Sequence, residues 1–569
     1  MARHDEDEEL LPGTRRLLDN TARNRPSAEA GPGGGGGHDS ETESLTKHGD
    51  IVLVPQPTSS PNDPLNWSLA RKIWHSTLAC YVVILTAATS NVAGSAAVGV
   101  NEEYGISYDV FNTGAGVLFI GIGYWTLLGS PAVHLYGRRI LYLVGMVWGL
   151  IGNLWFGYLK GEPATIWSQL FVGASESVGE AAVQLSLLDI WFEHQNGTSL
   201  GFYTFATAIG TYVGPLLAGH IANSYLGWRW IGFLGAIFSG GSIALLYFGF
   251  EETTFHRKHY EDLGVNQPQP QASGDDEEKR AEAPAPDPYS PSSRFDAATQ
   301  SRLLDSYSRP KPYWERIALV TPAPNLSGLG AKQYGRRLFH TLRVFTFPAV
   351  WFAGLQWGMQ NVALSFYLTV QQDHWIGAPW YYGDDAVGNM NIATLIGSLV
   401  GCLYGGYGSD KFIIWASRRS GTGIVEAEMR LWLMAACAAL LPAGLLVFGV
   451  GSARGWDWPA PYVGLGLIGF GYGCAGDLSI TYLADCYPDM VLEGMVGVAV
   501  INNTLAMVLT FVASYWLDTG LQNCFIELGV LGFVISMSFL PMALYGKRAR
   551  RWTKERYLNF VRIRDGMDG

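Results

Sequence analysis

Long apolar runs separated by short charged turns fill the chain from about residue 74 to residue 545. Each run approaches the about 20 residues that a helix needs to cross a bilayer. Six runs fall at 74–98, 111–133, 140–159, 165–188, 199–222 and 228–250. Six more fall at 344–370, 385–408, 430–450, 459–483, 494–516 and 524–545. The polar stretches around them divide the chain into five parts: a disordered tail (1–70), a first bundle (71–250), a central loop (251–340), a second bundle (341–546) and a basic tail (547–569). Segments such as "GPGGGGG" and "NQPQPQASGDDEEKR" bury too little apolar surface to order themselves, so the central loop is expected to be largely disordered.

The two sets of six runs echo each other. Run 2 ends in "GSPAVHLYGRRI" and run 8 in "GGYGSDKFIIWASRR"; run 4 ends in "LLDIWFEHQNG" and run 10 in "YLADCYPDMVLEG". A glycine-bearing basic loop follows the second helix of each half, and an Asp closes the fourth, Asp189 and Asp485. Paired signatures over six plus six spans are what a duplicated transporter displays. The fold class predicted is an all-α membrane protein of twelve transmembrane helices, in two pseudo-symmetric six-helix bundles.

Composition agrees with this. Only 15% of residues are charged, too few to coat a soluble chain of 569 residues, while 70 Gly and 20 Trp suit close helix packing and membrane interfaces. A net charge of −11 gives no nucleic-acid reading. None of the six cysteines lies in a C-x-x-C pair, so neither a disulfide framework nor a zinc site is expected. No signal peptide is expected ahead of the first run, which begins behind a long polar leader.

Lys and Arg collect on one side of the spans: Arg71, Lys72, Arg138, Arg139, Arg336, Arg337, Lys411, Arg418, Arg419, Arg430 and the 547–551 cluster. By the positive-inside rule both tails and the central loop face the cytoplasm. The sequons at Asn66, Asn196 and Asn325 then face the cytoplasm and Asn502 lies in the membrane, so none should carry glycan.

With these features the chain resembles the major facilitator superfamily over residues 62–560. In detail it is similar to the fungal twelve-helix drug:proton antiporter branch, in its histidinol/cation transporter-like subgroup. The residues carrying the resemblance are "NDPLNWSLARK", "YGRR", "DIWFEHQNGT", "GWRWIGFLGAIFSG", "EETTF", "GSDKF", "TYLADCYPD" and "GKRARRW". The most specific is "GFYTFATAIGTYVGPLLAG", in which Gly201, Gly210, Gly214, Pro215 and Gly219 fit the antiporter motif of helix 5 and Ala218 replaces a Gly. Gly210 and Gly214 form a face that admits a neighbouring backbone, and Pro215 bends the helix. Gly397, Gly401 and Gly405 of run 8 offer a matching strip, so close approach between helices 5 and 8 is expected.

The resemblance also implies a gate. The family caps a facing helix in one conformation with an Asp like Asp410, and Arg138 with Asp189 is expected to act as a cytoplasmic latch, alongside Arg139 and Asp485. Two positions depart from the pattern: His134 stands where an Asp is usual, and Gln169 where an Arg often linked to proton coupling is usual.

In this superfamily helices 1, 4, 7 and 10 line the central cavity, and the intramembrane polar residues fall there. They are Asn91 in run 1, Glu176 and Glu180 in run 4, Gln356, Trp357, Gln360 and Asn361 in run 7, and Asp477 in run 10. A charge at mid-membrane is costly, about 3 kcal/mol on insertion scales. Two carboxylates one helical turn apart in low dielectric should not both ionise, so such a pair can hold a proton and release it to a cationic substrate. Trp357 lies where it can stack on a cation.

No catalytic motif appears: no G-x-S-x-G, no phosphate-cradling loop, no Walker pattern. "HWIGAPWYYGDD" fits no metal spacing and reads as a wet extracellular loop. The expectation is a proton-coupled secondary transporter of drug-like compounds, secondary metabolites or organic cations, favouring efflux. It is no enzyme, takes no cofactor or metal, works as a monomer in the lipid bilayer of the plasma membrane, and has small molecules and protons as its partners. The alternatives are an importer of organic cations such as polyamines and, from another class, a transporter-like nutrient sensor.

Overall fold

The structure is a computed structural model and describes residues 11–16, 47–48, 51–255, 257, 260, 307–323, 326–420 and 424–568. The remaining positions, among them most of the expected tail 1–70, most of the central loop and Asn325, lie outside the described residues.

Among the described residues, twelve long helices follow one another as the apolar runs predict. In the first half they are α1 (Leu69–Ser90), α2 (Tyr108–Tyr136), α3 (Arg139–Gly157), α4 (162–190), α5 (Asn196–Ala222) and α6 (Arg229–Gly249). In the second they are α7 (Pro348–Asp373), α8 (384–420), α9 (Met434–Arg454), α10 (Ala460–Cys486), α11 (Val491–Leu517) and α12 (Leu521–Met537). A last helix, α13 (Phe539–Asp568), continues beyond α12. Among the described residues, ten helical stretches are long and apolar enough to cross a membrane on their own. α7 passes the same test only together with the bent segment before it, and α4 falls short because its polar residues dilute its hydropathy.

Among the described residues, two helices carry a π turn where an α-helix is the sequence expectation: Gly179–Val183 in α4 and Leu403–Tyr407 in α8. A π turn shifts the backbone register by one residue and recurs at functional sites. The first holds Glu180, and the second holds Gly405 and Gly406.

The two halves meet along two seams. α2 meets α11 through Asn112–Ser514 at 2.8 Å, Tyr124–Thr504 at 3.2 Å and His134–Glu493 at 3.2 Å. α5 meets α8, where Gly388 faces the Pro215–Leu216 backbone and Gly406 faces Gly197 and Gly201. The expected strip-to-strip contact between helices 5 and 8 is corrected in its residues. A Cβ on Gly210 or Gly214 would strike Ile84 and Ala88 of α1, and one on Gly397 or Gly401 would strike Gly466 and Phe470 of α10. Those glycines close each half internally, and Gly201 with Gly406 makes the contact between halves.

The disorder expected for 1–70 and for much of 251–340 gives way to order in their described parts. Asp63 is fully buried; it accepts from Thr58 and Leu65 at 3.0 Å and pairs with Arg257 at 3.1 Å, which fixes the chain before α1. The end of the central loop wraps α2, with Thr321 N–H donating to Tyr136 at 2.9 Å and Ala323 N–H to Leu135 at 3.0 Å. It continues into an amphipathic helix, Ala331–Thr341. The basic tail is part of α13 and is tied down by Arg550–Glu428, Thr553–Tyr487 and Tyr557–Asp489. Thr14–Arg16 pairs antiparallel with Ile424–Glu426. The "HWIGAPWYYGDD" loop is likewise packed: Trp375 is fully buried and stacks on Trp380 at 4.1 Å.

Candidate functional site

α4 brings both glutamates to the middle of the molecule. Glu180, in the π turn, is 8% exposed, and its carboxylate accepts from the Asn502 amide of α11 at 3.2 Å. Asn361 of α7 donates to Asn502 in turn at 3.5 Å, so a polar chain runs from the first half into the second. The Trp357 indole also faces Glu180. Glu176, one turn earlier, faces Glu180 and the Ser90 hydroxyl at the end of α1.

Aromatic side chains from both halves wall these carboxylates. Trp357 packs on Tyr472 of α10 with centroids 4.9 Å apart, and Tyr472 meets Tyr212 of α5 at 5.8 Å. Tyr212 stands 6.4 Å from Tyr367 of α7. Tyr203 of α5 faces both glutamates and Gln184. Two acids within a wall of ring faces match an organic cation: carboxylates neutralise its charge and aromatic faces attract it.

The other residues singled out in the sequence divide. Asn91 caps α1 and bonds the Ala87 carbonyl at 2.8 Å, so its neighbour Ser90 is the one that faces Glu176. Gln356 turns to α12, donating to Ile535 at 2.8 Å and to the Ser538 hydroxyl at 3.1 Å. Gln360 is buried with its amide oxygen close to Gly471. Asp477 lies apart from the glutamates, bonded to Thr481 at 3.1 Å and packed against Gly201, Gly405 and Gly406.

The expected latch between Arg138 and Asp189 forms as an ion pair, but both residues belong to the first half. It ties the α2–α3 turn to α4 and cannot lock one half to the other. Glu252, just after α6, joins it by accepting from the backbone N–H of Arg138 and Arg139 at 3.0 Å. Burial pushes the Glu252 carboxyl up, but Thr254, those N–H groups and the Arg138 guanidinium outweigh it and hold the group below the usual carboxylate range. Arg139 is fully buried and donates to the Ile317 and Tyr247 carbonyls, anchoring the end of the central loop.

Asp410, by contrast, makes a contact that crosses between the halves. Its carboxylate accepts from Gly197 N–H at 3.2 Å and from the N–H and hydroxyl of Thr198 at 2.7 Å, capping α5. Arg430 holds the same carboxylate at 2.8 Å and Asp485 at 2.7 Å. Pro215 and Gly219 are buried in α5.

Tyr203, Tyr212, Tyr472 and Asn502 escaped the sequence reading. Tyrosines in apolar runs look like packing, and Asn502 registered only as a sequon. Their signal was position: all lie about mid-span on their helices.

The sequence profile of the Major Facilitator Superfamily matches residues 78–511. The chain is 48% identical over 543 residues to an uncharacterized MFS-type transporter of Schizosaccharomyces pombe, over 93% of each protein. It is 47% identical over 547 residues to Protein HOL1 of Saccharomyces cerevisiae, over 91% of this chain and 93% of that one. Among solved structures it is similar to the proton:xylose symporter XylE bound to 6-bromo-6-deoxy-D-glucose, with TM-score 0.56 over 84% of this chain and 96% of that chain. At 12% identity that likeness is one of fold.

Proposed function

The chain belongs to the major facilitator superfamily and is a multi-pass membrane transporter, and on that footing we propose that it couples proton movement to the transport of small organic cations. One observation carries the reading: Glu176 and Glu180 stand together inside an aromatic wall drawn from both halves. An organic cation arriving between them would displace the proton that such a pair holds, and a proton returning would release the cation. The α5 pattern around Gly210, Gly214 and Pro215 supports efflux and a place near the drug:proton antiporters. The distribution of Lys and Arg supports cytoplasmic termini, and we assign the protein to the plasma membrane as a monomer.

Purified protein in proteoliposomes tests this. A labelled polyamine, an aromatic monoamine and a neutral aromatic alcohol are offered under an imposed pH gradient, with and without an uncoupler. The reading expects the amines alone to move against their gradients, and the movement to stop with the uncoupler. Equal transport of the neutral alcohol, or indifference to the uncoupler, overturns it. The sign of the flux relative to the proton gradient decides between export and uptake.

A further inference from the structure

The two seams between the halves are built on the same plan but with different chemistry. In one, the second helix of the second half meets the first turn of α5, and the joining group is Asp410. In the other, the second helix of the first half meets the first turn of α11, and there the acid sits on α11 itself. Glu493 occupies that first turn, and His134 of α2 reaches it with Nε2 3.2 Å from the carboxylate. The acid and its partner have exchanged sides. A carboxylate in the first turn is favoured by the helix dipole. Its partner across the seam is now the one side chain type whose charge ordinarily changes between pH 5 and 8.

We propose that His134 and Glu493 are positioning residues that form a proton-sensitive latch, so that a proton taken up by His134 strengthens closure of the end carrying both chain termini. This rests on the orientation given above, with that end in the cytosol.

The surroundings fix the sign. The amphipathic helix Ala331–Thr341 contributes Arg337 and His340 to the same small gap, and α13 contributes Arg564. Arg564 lies 3.8 Å from Glu493 and 2.9 Å from Asp565, and Asp489 precedes α11. Arg564, Asp565 and Asp489 belong to the same half as Glu493 and move with it. Arg337 and His340 sit on the connecting segment. The His134–Glu493 contact joins side chains of different halves, so it is made when the halves close and broken when they part. A ligand shifts a two-state equilibrium through such differential contacts alone, and the proton is the ligand here. Among the described residues the partners of Asp410 are Gly197, Thr198 and Arg430, so the seams divide the work: one is permanently charged, the other follows cytosolic pH.

The test is the distance between spin labels at Ala70 and Arg418, exposed positions on opposite halves, in the full chain in nanodiscs without substrate. Between pH 7.5 and pH 5.5 the ratio of closed to open populations should rise about fivefold, the order of one charge-assisted contact. His134→Gln should flatten this response and keep the open population of high pH. His134→Lys should flatten it in the opposite sense, closed at both pH values. Glu493→Gln should behave like His134→Gln. The same series in a Glu180→Gln background separates the latch from the central site, since the latch response should survive there whether or not cations are the substrate. A parental pH response in His134→Gln, or a Lys variant indistinguishable from the Gln variant, overturns the proposal.

Discussion

Asp410 and Thr198 lie in different halves of the chain, yet the Asp410 carboxylate accepts from both the backbone N–H and the hydroxyl of Thr198 at 2.7 Å. With Gly197 this caps the first turn of α5 from across the seam. An anion at such a place contributes about 0.3–1 kcal/mol, and about 2 kcal/mol when partly buried. Asp410→Asn should therefore favour separation of the halves by about two- to tenfold. Native Cys402, buried beside Tyr212 and Asp477, reports this directly. Its alkylation at fixed pH should quicken in the variant; an unchanged rate would mean the cap does not bias the equilibrium.

Two glycine substitutions should fail in different ways. A Cβ on Gly406 would come within 2.8 Å of the Gly197 carbonyl and 3.2 Å of the Gly201 Cα, both in the other half. Gly406→Ala should leave each half folded but hinder their closure, giving normal surface expression with most transport lost. A Cβ on Gly214 would come within 2.8 Å of the Ala88 backbone in its own half. Gly214→Leu should cost about 1–3 kcal/mol or more in overpacking and lower thermal stability and expression along with transport. Thermal unfolding beside flux separates the two. A stable, well-expressed Gly214→Leu protein that cannot transport would return Gly214 to the seam.

Trp357→Leu should weaken binding of an organic cation by about three- to thirtyfold while leaving a neutral aromatic untouched, because cation–π attraction of about 0.5–2 kcal/mol depends on the ligand's charge. Trp357→Phe should recover part of it. Equal losses for cation and neutral ligand in calorimetric titrations would make Trp357 a packing residue.

The fold was legible in the sequence because each bilayer-length run announces itself by apolarity alone, and the echo of "YGRR" in "GSDKF" announces the repeat. Glu176 and Glu180 were legible for the opposite reason, as charges where charge is costly. Pairing across space was not. Arg138 and Asp189 read as a cytoplasmic latch, and they do pair, but within the first half; nothing in the sequence says which helices a basic turn will meet. Gln356 read as a cavity residue, but the break between α12 and α13 leaves carbonyls that its amide satisfies. The π turn at Glu180 has no sequence mark, because a one-residue register shift changes no residue type. His134 was visible as a departure, and only the fold supplied Glu493 as its partner.

The central claim is that the Glu180 carboxyl exchanges a proton for a cation. Gln keeps the size and hydrogen bonding of the protonated acid, including a partner for Asn502, but releases no proton. In proteoliposomes, Glu180→Gln should lose accumulation of a labelled cation driven by a pH gradient, while exchange of labelled for unlabelled cation without a gradient persists. Glu176→Gln should be milder, since it relieves repulsion at Glu180. Gradient-driven accumulation by Glu180→Gln at the parental rate would contradict the account and send the coupling site elsewhere.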